Sequence, residues 1–158
     1  MANMKIQTGS IYLDRAFISS KSSNAANAGS LEVISKDILL DNQSTLGSYS
    51  FGSGESGDIS VVSNSIVMNR ESAIENGINQ SILENEDHLP YSPGNSGDIY
   101  IASDIIRMDQ GSYIRNAQID NAISGSVSII SDELSLDNNS FVSTETFQMF
   151  QSLSLIHI

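Results

Sequence analysis

The stretch GDIYIASDIIRMDQGSYI, residues 97–114, is one copy of a pattern that recurs along the chain. The pattern also begins at Gly29, Gly57 and Gly125, and a partial copy occupies residues 11–18. The four starting glycines are 28, 40 and 28 residues apart, so the period is 28 with one insertion of 12. Self-similarity at such a period is typical of repeat proteins, in which each unit buries its apolar face against its neighbours.

Each copy contains two alternating apolar stretches and a shorter third one. In the quoted copy these are residues 99–103, residues 106–109 and the segment around Ile114. The alternation and the many β-branched residues predict strands, and no apolar period of 3.6 residues is sustained anywhere. The sequence therefore predicts an all-β parallel β-helix, or solenoid, with three short strands in each rung of about 28 residues.

Equivalent residues of successive rungs are expected to stack in columns. Two apolar columns should fill the core: Leu31, Ile59, Ile99 and Val127, and then Leu40, Met68, Met108 and Leu136. A polar column should follow at one corner: Asp14, Asp41, Asn69, Asp109 and Asp137. Because adjacent carboxylates repel, this column is expected to face solvent or to bind cations. The starting glycines are expected at another corner, with φ above zero.

One apolar column falls on the wrong face of the predicted strands. By the period of two, the outward positions next to the core are Ile34, Val62, Ala102 and Ile130. Either the chain bends there and turns these side chains partly inward, or they form a docking surface for another element or chain.

The chain is predicted to be a single β-helix segment of about five rungs, residues 1–150, with a loop insertion at residues 75–96 that holds both prolines. Insertions in repeat proteins leave the coil on one face, where recognition is usually placed. The residues of this possible recognition loop are Glu84, Glu86, Asp87, His88 and Tyr91. Their spacing matches neither an EF-hand loop nor a His-x-x-x-His site, so the sequence predicts a solvated loop and no metal.

Residues 151–158 break the repeat. The segment LSLIHI resembles the translation of a sequencing-library adaptor, which predicts a non-native tail and a chain that is a fragment of a longer protein.

Charge and composition exclude several kinds of partner. The chain has 19 acidic and 7 basic residues, a net charge of -12, and no cysteine. Phosphate contacts need a basic face, so nucleic acid and anionic membranes are not expected as partners. No segment approaches the roughly 20 apolar residues of a membrane helix, and residues 1–9 show no signal peptide. If the protein is exported, its signal is expected outside this chain.

Acidic and basic side chains that the repeat brings together are the candidates for catalysis: Asp58 with Asp98, and Asp109 with Arg107 and Arg70. Two close carboxylates can share a proton or hold a metal. However, these residues recur because the repeat recurs, and serine fills the position of Asp58 at Ser30 and Ser126. The prediction is therefore no enzyme and no cofactor.

Two other functions would need features that the sequence does not clearly show. A polysaccharide-active β-helix enzyme of the pectin lyase-like kind would need clustered carboxylates and arginines in an outer groove. A carbohydrate-binding module would need exposed aromatic rings on one face, for which the candidates are Tyr49, Phe51, Tyr91, Tyr100 and Tyr113.

The repeat Gly-Asp-Ile-x-Val/Ile-x-Ser, followed by Ile-x-Met/Leu-Asp/Asn-x-x-Ser-x-Ile, resembles the passenger repeats of filamentous haemagglutinin-type exoproteins, the large adhesins of two-partner secretion. The resemblance covers residues 11–142 and is closest in residues 57–74 and 97–114. It departs from the family at Ser56 and Ser96, where the family usually has the first glycine of a pair, and the family's secretion domain with its Asn-Pro-Asn signature is missing.

The resemblance implies a right-handed β-helix and a structural rod segment of an adhesin that is secreted or displayed on a Gram-negative-type bacterium. Its partners would be a glycan or protein surface of the host cell or matrix and, for the longer parent protein, an outer-membrane secretion partner. Catalytic residues are not part of the resemblance.

Overall fold

In the computed structural model, which describes residues 2–23, 25–77, 94–119 and 122–147, the chain coils through two parallel β-sheets. Sheet A contains β1 (Met4–Asp14), β3 (Leu31–Asp41), β5 (Ile59–Met68), β7 (Ile99–Met108), β9 (Val127–Ile130) and β10 (Glu133–Leu136). Sheet B contains β2 (Phe17–Ser22), β4 (Thr45–Ser50), β6 (Ala73–Gly77), β8 (Tyr113–Ile119) and β11 (Phe141–Phe147). The described residues contain no helix, and the prediction of an all-β parallel β-helix is confirmed with about four turns.

The first two predicted strands of a rung run on as one strand in β3, β5 and β7, and they are separate only in the last rung, as β9 and β10. The ladder pairs skip one or two residues between the two predicted strands, and buried serine hydroxyls form hydrogen bonds there. The hydroxyl of Ser103 donates to the carbonyl of Ile105 at 3.0 Å, and that of Ser63 to the hydroxyl of Ser103 at 3.1 Å.

The 28-residue period sets the register of both sheets. Ile59 lies beside Leu31 on one side and beside Ile99 on the other, and Val127 follows Ile99. The register of the second core column is also as predicted, with Met68 between Leu40 and Met108 and Leu136 beside Met108, but Leu136 is 42% exposed and not part of the buried core. The 12-residue insertion lies between β6 and β7 and leaves the register unchanged, since both sheets resume with an offset of 40. The insertion was predicted to begin at residue 75, but β6 extends to Gly77, so residues 75–77 belong to sheet B.

The core is a narrow column of aliphatic side chains between the two sheets. Its fully buried members include Leu31, Leu40, Leu46, Ile59, Met68, Ile74, Ile99 and Ile114. Each contacts its equivalents in the neighbouring rungs, so the apolar area that each rung buries depends on the rungs above and below.

The prediction that the starting glycines have φ above zero is wrong. Positive φ occurs instead at the corner after sheet A, in the pairs Asn42-Gln43, Arg70-Glu71, Gln110-Gly111 and Asn138-Asn139. At the glycine corner the rungs approach too closely for a side chain. A Cβ on Gly57 would lie 2.5 Å from the carbonyl carbon of Gly29, and one on Gly97 would lie 2.7 Å from that of Gly57. Glycine is required there by contact between rungs and not by backbone conformation.

Candidate functional site

The predicted recognition loop cannot be placed, because Glu84, Glu86, Asp87, His88 and Tyr91 lie outside the described residues. Its role therefore stays a prediction. Polar side chains of the described residues also line a groove at the corner after sheet A and form a buried cluster on the outer face of sheet B.

Three aspartates of the corner after sheet A accept hydrogen bonds from the next rung. The side-chain amide of Asn42 donates to Asp14 Oδ1 at 2.6 Å, and Asn138 donates to Asp109 Oδ1 at 2.6 Å. Arg70 forms a bidentate pair with Asp41, with Nε 2.7 Å from Oδ1. The column was expected to face solvent or to bind cations; at Asp41 the cation is the guanidinium of Arg70, and these bonds join successive rungs.

Hydrogen bonds from Arg70 lower the pKa of Asp41 below its ordinary value of 3.8, and partial burial opposes this effect. A lowered pKa in the folded state means that the ionised carboxylate stabilises the fold. This contribution is fully present above pH 3.8 and is lost as the pH falls through the lower pKa of the folded state.

We therefore expect Asp41→Asn to destabilise the protein at neutral pH and to cost progressively less stability as the pH falls below 3.8. Urea unfolding of both proteins across this pH range measures the effect. A carboxyl-carbon NMR titration of Arg70→Gln is the companion experiment, in which the titration midpoint of Asp41 should rise. A destabilisation by Asp41→Asn that does not change with pH would contradict the assignment.

Polar side chains of this corner line an open groove of about 660 Å³. The lining residues are Arg15, Asn42, Gln43, Arg70, Glu71 and Gln110. Gln43 Nε2 donates to Glu71 Oε2 at 2.8 Å. The groove offers amide and guanidinium donors and contains no aromatic ring, so it suits hydrogen bonding to a polar ligand and not stacking.

The carboxylates proposed for catalysis hold successive rungs together. Asp58 Oδ1 accepts the backbone N–H of Asp98 at 2.9 Å, and Asp98 Oδ1 accepts that of Ser126 at 2.7 Å. Arg107 pairs with Glu133 at 2.8 Å. Arg70 pairs with Asp41, and Asn138 donates to Asp109. The second candidate group, Asp109 with Arg107 and Arg70, is therefore not brought together, because each member has a different partner. The absence of catalysis stays a prediction, but each of these groups has a structural contact.

The aromatic residues proposed for a carbohydrate-binding module do not share a face. Tyr49 and Tyr113 lie on sheet B and Tyr100 on the outer face of sheet A, while Tyr91 is outside the described residues. Tyr49 is buried and packs against Phe51 at a centroid distance of 6.2 Å. Among the described residues these side chains therefore form no single stacking platform.

A cluster that sequence reasoning missed lies on the outer face of sheet B. Glu75 in β6 and Arg115 in β8 are direct neighbours in the ladder, and they are only 1% and 5% exposed. Arg115 Nε lies 3.1 Å from Glu75 Oε1, and a second guanidinium nitrogen contacts the same oxygen. The hydroxyl of Tyr49 donates to Glu75 Oε2 at 3.4 Å, and the guanidinium of Arg115 lies 5.0 Å from the ring centroid of Tyr113.

Burial of this pair shows that the outer face of β4, β6 and β8 is an interior surface. Removing two charges from water costs several kcal/mol per ion unless each is matched by close partners. The sequence does contain a signal for this pair, because Glu75 and Arg115 have opposite charges at equivalent positions of adjacent rungs, on either side of the insertion.

The outward apolar column, Ile34, Val62, Ala102 and Ile130, was predicted either to turn partly inward at a bend or to form an exposed docking surface, and its members behave differently. Ile34 and Ala102 are half-buried, as a bend of the chain would make them. Val62 and Ile130 are 41% and 60% exposed and face solvent.

No group of three or more His, Cys, Asp or Glu side chains in the described ranges is arranged to hold a metal ion. A search of the same ranges for a helix long and apolar enough to cross a membrane finds none. No family model, no curated protein and no solved structure matches the chain.

Proposed function

We propose that this chain is a structural rod segment of a bacterial adhesin that is secreted or displayed on the cell surface. The observation that supports the proposal is the constant register, in which each rung contacts the next through the same columns across the insertion. A coil of this kind gains stability from each nearest-neighbour contact and can be lengthened without changing its cross-section. Such a coil can hold a binding segment away from the cell that displays it.

The surface chemistry agrees with an extracellular role. Charged residues make up only 16% of the chain, and serine, asparagine and glycine are abundant in it. The coil contains no cysteine whose redox state the environment could change. Export through an outer-membrane partner and adhesion to a host or matrix glycan or protein belong to the same proposal and refer to the longer parent protein.

Two experiments test the proposal, one for the modular rod and one for the location of the protein at the cell surface. Deleting one complete rung, residues 29–56, keeps the register, so the shortened chain should still fold into β-structure with a lower unfolding midpoint. Deleting half a rung, residues 43–56, should abolish folding because it brings strands of sheet A against strands of sheet B. Circular dichroism and urea unfolding measure both. Equal loss of folding in the two deletions would contradict a modular rod.

For the location, antibodies raised against the purified chain should label intact cells of the bacterium that carries the gene, and brief protease treatment of those cells should remove the label. Labelling that appears only after lysis would overturn the proposal.

A further inference from the structure

The open groove at the corner after sheet A is lined by residues in an unusual backbone conformation. Gln43, Arg70, Glu71 and Gln110 have φ between 53° and 62°, a region that glycine enters freely and other residues seldom adopt. Gly111 holds the position that Gln43 and Glu71 hold in earlier rungs, since the backbone nitrogen of each donates to the same carbonyl of the next rung. Glycine therefore fits this corner, yet the rungs that line the groove keep long polar side chains there. Backbone strain that is retained in this way points to a function for the side chains.

Three of the lining side chains are fixed by bonds to a neighbouring rung and keep polar atoms available for a ligand. Asn42 donates through its side-chain nitrogen to the aspartate of the preceding rung, which leaves its oxygen to accept. Gln43 Nε2 donates to Glu71, and Gln43 Oε1 remains as an acceptor. Arg70 bonds Asp41 through Nε and one terminal nitrogen, so its other terminal nitrogen can donate. A ligand that met these groups would not have to order them, which lowers the cost of binding.

The charge of the groove suits an uncharged ligand. Its lining contains two arginines and one glutamate, and one of the arginines, Arg70, is neutralised by Asp41. A strongly anionic ligand would be repelled by the net charge of -12, and a cationic ligand would meet the guanidinium of Arg15. Hydroxyl groups both donate and accept hydrogen bonds, so they match a lining that offers amide oxygens beside amide and guanidinium nitrogens.

The groove has the length and the repeat of a polymer chain. It runs across the corners of four successive rungs, from Arg15 to Gln110, and equivalent groups of neighbouring rungs are about 4.8 Å apart. An extended polysaccharide presents hydroxyl groups at a similar interval from one sugar to the next. The groove volume of about 660 Å³ lies within the range of about 300–1,000 Å³ that is typical of ligand sites.

From these features we infer that the groove binds an uncharged, extended polysaccharide, which lies along the coil axis and is held by hydrogen bonds to its hydroxyl groups. No aromatic ring lines the groove, so the sugar rings are bound without stacking. The proposal names the ligand class for the adhesion proposed above and rests on that function. Its test uses the purified chain, so a failure here would leave the tests of the rod and of the location unaffected.

Titration of the isotope-labelled full chain with cellohexaose, an uncharged and extended hexasaccharide, tests the proposal by NMR. At sugar concentrations up to about 10 mM, the side-chain amide signals of Asn42, Gln43 and Gln110 should shift, as a Kd of about 1 mM would produce. Gln43→Gly and Gln110→Gly each remove one lining side chain at a φ that glycine adopts without strain, so both variants should fold. Each should weaken binding about three- to tenfold, the effect of losing one hydrogen bond.

Asn139→Gly is the matched control, because Asn139 has a φ of 65° at the same corner and does not line the groove. It should leave the affinity unchanged, and circular dichroism confirms the fold of each variant. The proposal is overturned if cellohexaose at about 10 mM shifts none of the three amide signals. Equal weakening by the control and the two groove variants, or tighter binding of the anionic hexagalacturonate than of cellohexaose, would overturn it equally.

Discussion

Replacing Arg115 with methionine is expected to lower the free energy of unfolding by about 3–5 kcal/mol, the usual cost of removing one partner of a buried ion pair. The cause is the carboxylate of Glu75, which is 1% exposed and would lose the guanidinium that lies against it. The hydroxyl of Tyr49 is too distant, at 3.4 Å, to replace two charge-assisted hydrogen bonds. Urea unfolding at neutral pH, followed by circular dichroism, measures the loss.

Two further variants separate burial from charge. Lys5→Met removes one partner of the exposed pair Lys5–Glu32, whose nitrogen and oxygen are 2.9 Å apart, and should cost at most about 1 kcal/mol. Adding Glu75→Gln to Arg115→Met removes the buried charge and should recover part of the loss. If Arg115→Met costs no more than Lys5→Met, the outer face of sheet B is not an interior surface and the assignment fails.

The sequence predicts the columns of this fold well because alternation and a fixed period determine two things at once. Alternation decides which side chains of a strand point inward, and the 28-residue spacing decides which residues become neighbours in the next rung. Ile59 could therefore be placed between Leu31 and Ile99 without a structure, even across the insertion. The same logic identified the corner of Asp41, although not its pairing with Arg70.

Other features could not be predicted because they depend on distances between backbones or on burial of an outer face. A recurring glycine indicates that no side chain is tolerated, but it does not show why. A positive φ and a close contact between rungs both require glycine, so the sequence cannot tell them apart. The charges of Glu75 and Arg115 were visible, but a charged residue on an outer strand face is normally solvated. Only the structure shows that both side chains are buried.

Replacing Gly57 with alanine is expected to destabilise the coil by about 3 kcal/mol, at the upper end of the usual cost of forcing an extra methyl group into a packed site. The new Cβ would lie 2.5 Å from both the carbonyl carbon of Gly29 and the backbone nitrogen of Ser30. Both atoms belong to backbone, which cannot rotate away as a side chain can, so the two rungs would have to separate. Separation would also weaken the parallel hydrogen bonds and the core contacts between β3 and β5, and the midpoint of urea unfolding reports the sum.

Gly9→Ala is the matched control, because a Cβ at Gly9 would meet no atom within 4 Å. Gly9 lies within β1, where glycine is less favourable than alanine by roughly 0.5–1 kcal/mol, so this substitution should leave stability unchanged or raise it slightly. Equal effects of the two substitutions would show that the rungs do not approach closely at Gly57. The recurring glycine would then need another explanation, and since φ there is not positive, backbone conformation could not supply it.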